Sequence, residues 1–231
     1  MKTIGILGGL GPESTIEYYK GIVRAFQKNE SGYPEIIIHS TSLSEFWEII
    51  ETGQFDELTA WLADKIESLY DAGADFAAIA SNTPHIVFDK VNARSPMPLL
   101  SIVEETCKKA QSMNLKKCGL FGTGFTMQSN FYQDYFSKHG ISIVVPDEGG
   151  QKFLDDKIFS ELAFGVVNDE TRKQLLQIVR KMIDEQSIDS LILACTELPL
   201  ILDKDEYGIP FLSTTAIHVE SIVEYCLSEA D

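Results

Sequence analysis

The chain repeats itself weakly over half its length, and that repeat limits its fold more than any other feature. At an offset of 114 residues, Gly5-Ile6-Leu7-Gly8 lines up with Gly119-Leu120-Phe121-Gly122, Tyr18 with Tyr132, and Asp75 with Asp189. At the same offset Ala80-Ser81 meets Ala194-Cys195, and Pro98-Leu99-Leu100-Ser101 resembles Pro210-Phe211-Leu212-Ser213 two residues out of register. Each match is at chance level alone, but the common order indicates a duplication, which has to be read before a fold is named. Short β-branched runs alternate with longer amphipathic ones. Strands are expected at Thr3–Leu7, Glu35–His39, Phe76–Ala80, Leu99–Leu100, Lys117–Phe121, Ile141–Val145, Ser190–Ala194 and Pro210–Leu212. Helices are expected near Ser14–Gln27, Phe55–Ala72, Val103–Ser112, Phe131–His139, Asp155–Phe164, Glu170–Gln186 and Thr215–Leu227. This alternation predicts an α/β fold of two pseudosymmetric lobes, each a mostly parallel sheet flanked by helices. The first lobe takes 1–99 plus 210–231 and the second 100–209, with the active site expected in the cleft between them.

Ligands of such sheets sit beyond the carboxyl ends of the strands, so the residues after each strand carry the chemistry. Ser81 and Cys195 occupy equivalent strand ends. Two small acid–base side chains on opposite faces of one substrate are what inversion at a carbon centre requires. Each has a plainer reading. Ser81-Asn82-Thr83-Pro84 is also an ordinary helix cap, and a cysteine at a strand end is commonly a small buried hydrophobe.

Charge narrows the partners. With 19 Lys and Arg against 35 Asp and Glu, the formal net charge is −16. Nucleic acid and anionic membranes both need clustered cations and are not expected as partners. The apolar Met1–Leu10 stretch is too short and too glycine-rich for a signal peptide, and no run approaches the roughly 20 apolar residues of a membrane span. A cytoplasmic protein is expected. Cys107, Cys118, Cys195 and Cys226 form no CxxC pair, so free thiols are expected. His39, His85, His139 and His218 are scattered singly, and no metal site is expected.

The turn Gly8-Gly9-Leu10-Gly11-Pro12-Glu13-Ser14 lacks the third glycine of a dinucleotide fingerprint, and no acidic residue closes the second strand. Its glycines suit close approach of backbone N–H groups to a small anion. Gly122-Thr123-Gly124-Phe125-Thr126 offers the same with two hydroxyls added. A carboxylate can thus be bound without Lys or Arg, even in a strongly acidic chain. His85 reads as a structural helix residue, and Trp47 and Trp61 as packing.

Taken together, Gly5 to Thr15 with Tyr18-Tyr19, Ser81-Asn82-Thr83-x-His85, Gly122-Thr123-x-x-Thr126-Met127 and Cys195-Thr196-Glu197-Leu198-Pro199 resemble the aspartate/glutamate racemase family. The motifs fall in the family's order along nearly the whole chain. The resemblance implies a cofactor-independent racemase of a small-molecule amino acid, with two pseudosymmetric α/β lobes and a homodimeric assembly. It implies that Cys195 is one of two catalytic groups that remove and return the α-proton. Ser81 stands where typical members carry the second cysteine, and a hydroxyl is a far weaker acid than a thiol. Cys195 is therefore expected to be the competent base, an activated thiolate, with Ser81 as donor or positioner and an asymmetry between enantiomers. By the same resemblance, Leu10, Asn82, Thr83, Thr123, Thr126 and Thr196 line the substrate, and Glu197 either orients Cys195 or meets the ammonium.

Aspartate-specific relatives tend to carry basic residues in the loop after the second strand and after a Glu-Leu-x-x-Gly helix end. Here those places read Thr41-Ser42-Leu43-Ser44-Glu45-Phe46-Trp47 and Glu161-Leu162-Ala163-Phe164-Gly165-Val166, without Lys or Arg. Aspartate or glutamate is the family default, and a neutral or basic amino acid stays open. Two other readings stand beside racemisation. One is a one-cysteine lyase or isomerase on a small carboxylate; the other is a member that binds a small carboxylate without turnover.

Overall fold

A computed structural model describes residues 1–28 and 32–228, and it divides into two units, Met1–Glu105 with His218–Asp231, and Thr106–Ile217. The chain runs β1 (Ile4–Gly8), α1 (Pro12–Lys28), β2 (Ile36–Ser40), α2 (Leu43–Thr52), α3 (Phe55–Asp71), β3 (Phe76–Ile79), a 3₁₀ turn (Thr83–Val87), α4 (Phe88–Asn92), β4 (Leu99–Leu100) and α5 (Ile102–Ser112). It continues through β5 (Lys117–Gly122), α6 (Gly124–Gln128), α7 (Phe131–Lys138), β6 (Ser142–Val144), α8 (Glu148–Ser160), a 3₁₀ turn (Leu162–Phe164), α9 (Asp169–Gln186), β7 (Ser190–Ala194), α10 (Leu198–Ile201), β8 (Phe211–Ser213) and α11 (Thr214–Leu227).

Each unit holds a four-stranded parallel sheet, ordered β2-β1-β3-β4 in one and β6-β5-β7-β8 in the other. The central strands β1, β3 and β7 are buried along their length and β5 from Cys118 onward, as apolar runs without alternation require. The duplication extends to register: Ile4 pairs with Phe76 in β1 and β3, and Cys118 with Ser190 in β5 and β7, 114 residues on in both strands. The same aspartate locks each pairing. The Thr3 N–H donates to Asp75 Oδ2 at 2.6 Å while the Asp75 N–H donates to the Thr3 carbonyl at 3.0 Å. Lys117 N–H likewise donates to the Asp189 carboxylate at 3.2 Å, and Asp189 N–H to the Lys117 carbonyl at 2.9 Å.

The expected strands appear within one residue of their sequence positions, but the unit boundaries do not fall at 99/100 and 209/210. Residues 210–213 belong with the second unit, because β8 pairs with β7 through Leu191 and Phe211, Ile192 and Leu212, and Leu193 and Ser213. Only from His218 onward does α11 serve the first unit. There Val219, Ile222, Val223 and Cys226 pack with Ile4, Ile6, Tyr18, Ile22 and Phe76. The stretch after β2, expected as loop, is the helix α2. Ser42 caps it by accepting the Glu45 N–H at 3.4 Å, and Phe46, Ile49 and Ile50 bury its inner face. Helix α8 begins seven residues before its expected start because Asp147 caps it, accepting the Gly150 N–H at 2.8 Å. A Cβ on Gly150 would sit 2.8 Å from Pro146 Cβ, so close packing puts a poor helix former in that first turn.

The paired aspartates have a measurable role. Asp75→Ala and Asp189→Ala should each lower unfolding free energy by about 1 kcal/mol, the worth of the lost hydrogen bonds, with similar losses in urea denaturation.

Candidate active site

In the first unit, the carboxyl ends of β1 and β3 lie side by side, since Leu7 pairs with Ile79 and the Ala80 N–H donates to the Leu7 carbonyl at 2.9 Å. The chain leaves β1 through Gly9, whose φ of +81° and crowded position against the Thr41 backbone admit only glycine. Leu10 is buried at this turn. Ser14, in the first turn of α1, donates its hydroxyl to the Ala80 carbonyl at 2.6 Å. His85 Nδ1 donates to the Ser81 carbonyl at 2.9 Å, while its Nε2 accepts the Ile102 N–H at 3.2 Å. The carbonyls of Ala80 and Ser81 are thus both gripped, and the half-buried Ser81 side chain is held by its backbone.

The cap reading of this segment does not hold. Asn82 occupies the cap position in a helical conformation, with φ −80° and ψ −47°, and makes no side-chain cap bond. Among the described residues, none hydrogen-bonds the Ser81 hydroxyl. Asn82 and Thr83 are buried at the start of the 3₁₀ turn.

Behind them lies a buried polar network that the sequence did not announce. Tyr18 Oη donates to His218 Nδ1 at 2.8 Å, and His218 Nε2 donates to the Leu100 carbonyl at 3.1 Å. The rings of His218 and His85 are 6.3 Å apart, and His85 stacks on Phe88. Burial, then the neighbouring His218, holds the pKa of His85 down at about 3; burial holds that of His218 at about 4. His85 is a positioning residue, neutral and with both ring nitrogens engaged. Its role agrees with the structural reading, whereas His218, read in the sequence only as a lone histidine, gave no sign of this network in its apolar helix pattern.

In the second unit Gly122 pairs with Ala194, which brings Thr123 and Cys195 out of adjacent strands. Thr123 caps α6 by accepting the Thr126 N–H at 3.3 Å, and the two hydroxyls are 3.1 Å apart. The Gly124 N–H donates to Asp155 at 2.6 Å, a contact that the motif alone does not reveal. At the end of β7, the Cys195 thiol donates to Glu197 Oε2 at 2.8 Å, and the Thr196 hydroxyl donates to the same oxygen at 2.8 Å.

This arrangement departs from the expected thiolate. Burial, the Glu197 charge and the hydrogen bond to Glu197 push the Cys195 thiol well above its ordinary pKa, against the pull of the Thr196 and Glu197 N–H groups. Cys195 is a thiol poised on a carboxylate, and a proton leaving Sγ has Glu197 Oε2 as its acceptor. Cys107, Cys118 and Cys226 are buried, and Cys195 is the one of the four that is only partly buried. The candidate residues thus gather within each unit, Leu10, Ser81, Asn82 and Thr83 in one, and Thr123, Thr126, Cys195, Thr196 and Glu197 in the other. A cavity of about 460 Å³ between α8 and α9, lined by Phe153, Gln174, Ile178 and Gln186 among others, includes none of them. Among the described residues no cluster of three His, Cys, Asp or Glu is placed to hold a metal ion, and no helix is long and apolar enough to cross a membrane.

The sequence profile described as Asp/Glu/Hydantoin racemase matches residues 7–222. The broad specificity amino-acid racemase RacX of Bacillus subtilis is 28% identical over 232 residues, spanning 97% of this chain and 98% of that protein. Among solved structures, a putative Asp/Glu racemase from Yersinia pestis superposes with a TM-score of 0.92 at 30% identity, over 99% of this chain and 100% of that one. An aspartate racemase homologue from Pyrococcus horikoshii gives 0.87 at 32%, with the same coverage.

Two outcomes are expected from the site's electrostatics. Glu197→Gln removes the charge that disfavours the thiolate, so iodoacetamide should alkylate Cys195 several-fold faster at pH 8 than in the unaltered protein; an equal or slower rate contradicts the Cys195–Glu197 coupling. The neutral histidines make stability fall on acidification. The unfolded chain takes up protons below about pH 6.5 while the folded one does not until nearer pH 4, so their contribution is complete above that window and declines through it. Each ring adds up to about 1.4 kcal/mol per pH unit of slope. Between pH 6.5 and 5, His218→Gln should show a shallower loss of Tm than the unaltered protein.

Proposed function

The chain belongs to the Asp/Glu/hydantoin racemase family, and from that premise we propose that it is a cofactor-independent amino-acid racemase in which Cys195 and Ser81 exchange the α-proton. The Cys195–Glu197 hydrogen bond carries the reading, because it supplies a thiol whose proton has a built-in acceptor. Burial is the larger obstacle to a thiolate and the Glu197 charge the next; an ammonium-bearing substrate that offsets the Glu197 charge removes the second of these and so favours transfer of the α-proton to Cys195. Ser81 serves the opposite face of the same α-carbon, its carbonyl fixed by His85 and its hydroxyl not committed to a cap. Asn82, Thr83, Thr123, Thr126 and Thr196, with the backbone around Leu10, hold the α-carboxylate and ammonium through hydroxyl, amide and N–H groups. The protein acts in the cytoplasm as a homodimer, with a free amino acid as its partner.

Because a serine hydroxyl is a poor acid, proton delivery from Ser81 limits turnover. One observation favours a second reading: the thiol is held protonated in the free protein. An enzyme that only protonates one face, a lyase or isomerase on a small carboxylate, needs that state of Cys195 and no second thiol.

Chiral chromatography of amino acids incubated with the protein separates these. Cys195→Ala should abolish interconversion of enantiomers, and Ser81→Cys should raise it at least tenfold by supplying a second thiol. Racemisation unchanged by both substitutions removes these residues from the mechanism, and a complete lack of racemisation in the unaltered and Ser81→Cys proteins favours the one-sided reaction.

A further inference from the structure

Ser81 is reached by a run of hydrogen bonds that starts on α1, and all of it lies within the first unit. The Leu100 carbonyl can only accept, so His218 Nε2, 3.1 Å away, carries the proton. Nδ1 of the same neutral ring is then an acceptor, and the Tyr18 hydroxyl, at 2.8 Å, donates to it. His85 is set in the opposite sense. The Ile102 N–H donates to its Nε2 at 3.2 Å, which puts the proton on Nδ1 and aims it at the Ser81 carbonyl, 2.9 Å away. The Leu100 carbonyl and the Ile102 N–H flank Ser101, so both rings hold the β4–α5 junction. Ser101 is buried there and accepts the Glu104 N–H at 3.3 Å.

At the far end of the run Ser81 has little freedom left. Its N–H donates to the Ile79 carbonyl at 2.9 Å, and its own carbonyl is held by His85. A plainer account is that a buried tyrosine and a buried histidine merely satisfy each other. The duplication argues against it. In the second unit Tyr132 repeats Tyr18 and is equally buried, but Pro199 stands at the place of His85. At the two-residue shift that aligns Ser101 with Ser213, Thr106 stands at the place of His218. The same sheet therefore forms without either imidazole. Burying two imidazoles carries a desolvation cost that an apolar pair avoids, and the run ends on the residue that the second unit replaces by Cys195.

We propose that Tyr18 and His218 are positioning residues for proton exchange at Ser81. The tyrosine hydroxyl selects the His218 tautomer, His218 then holds the β4–α5 junction, and that junction sets His85 against the Ser81 carbonyl. Without the tyrosine hydroxyl, Nδ1 of His218 can take the proton, and Nε2 then turns a lone pair toward the Leu100 carbonyl. The inference rests on the racemase reading, which makes Ser81 one of the two groups that exchange the α-proton. A hydroxyl is a weak acid, so its proton transfer depends on alignment, and a small displacement is costly.

Tyr18→Phe tests it, because that change removes the hydroxyl and keeps the packed ring. NMR of the full chain with isotope-labelled histidine reads both tautomers and the exchange of the His85 Nδ1 proton with water. Racemisation is measured with aspartate, glutamate, lysine and methionine. In Tyr18→Phe the His85 proton should exchange several-fold faster, and kcat on the best of the four should fall roughly tenfold while KM stays within about twofold. Alkylation of Cys195 by iodoacetamide should not change, since Cys195 belongs to the other unit. His218→Gln keeps an N–H donor for the Leu100 carbonyl and should lose several-fold less in kcat than His218→Leu. An unchanged His85 proton or an unchanged kcat in Tyr18→Phe overturns the inference and leaves the racemase reading standing. A matching loss of Cys195 reactivity overturns it too, as a general loosening of the fold, and so does an equal loss in His218→Gln and His218→Leu. No racemisation of any of the four by the unaltered protein overturns the racemase reading and this inference with it.

Discussion

The pairing of two buried strands, made twice, is the constraint on which the rest depends. β1 against β3 and β5 against β7 keep a common register, each fixed at its amino end by an aspartate, Asp75 or Asp189. That register decides which residues emerge together at the carboxyl ends. It sets Ser81 beside the glycine turn of β1, and Cys195 beside Thr123. A shift of one residue would reverse every side chain on a strand and send the reactive groups into the core. The adjoining helices then refine the positions: Ser14 from α1 and His85 from the 3₁₀ turn hold the Ala80 and Ser81 carbonyls.

Strand positions were legible because buried β-branched runs leave a strong pattern and because the repeat supplied each run twice. The places that sequence reasoning misjudged have local causes. Helix α2 was hidden by a polar start, Thr41-Ser42, whose serine is its cap. The first turn of α8 was hidden by Gly149 and Gly150, the second of which tight packing against Pro146 explains. The unit boundary was misplaced because β8 and α11, adjacent in sequence, serve different units; strand pairing assigns the one and apolar packing the other.

The candidate site was legible in its residues more than in its chemistry. Ser81, Asn82, Thr123, Cys195, Thr196 and Glu197 lie just after strand ends, and Thr83 and Thr126 in the first turn of the helical segments that follow. The protonation state of Cys195 was not readable, since it depends on Glu197 folding back onto a sulfur two residues away. Nor was the Tyr18–His218–Leu100 chain, in which Tyr18 and His218 stand 200 positions apart in sequence. Both are consequences of burial: a carboxylate near a desolvated thiol keeps it protonated, and a desolvated imidazole stays neutral and accepts or donates in fixed directions.

In the proposed proton exchange Cys195 and Ser81 are unequal partners, a thiol with a built-in acceptor against a bare hydroxyl. The most direct test follows deuterium wash-in at the α-carbon separately from the L and the D enantiomer of the best substrate, at early times before interconversion. Wash-in at clearly different rates for the two enantiomers is predicted, with Ser81→Cys bringing the rates together. Equal rates in the unaltered protein would contradict the inequality.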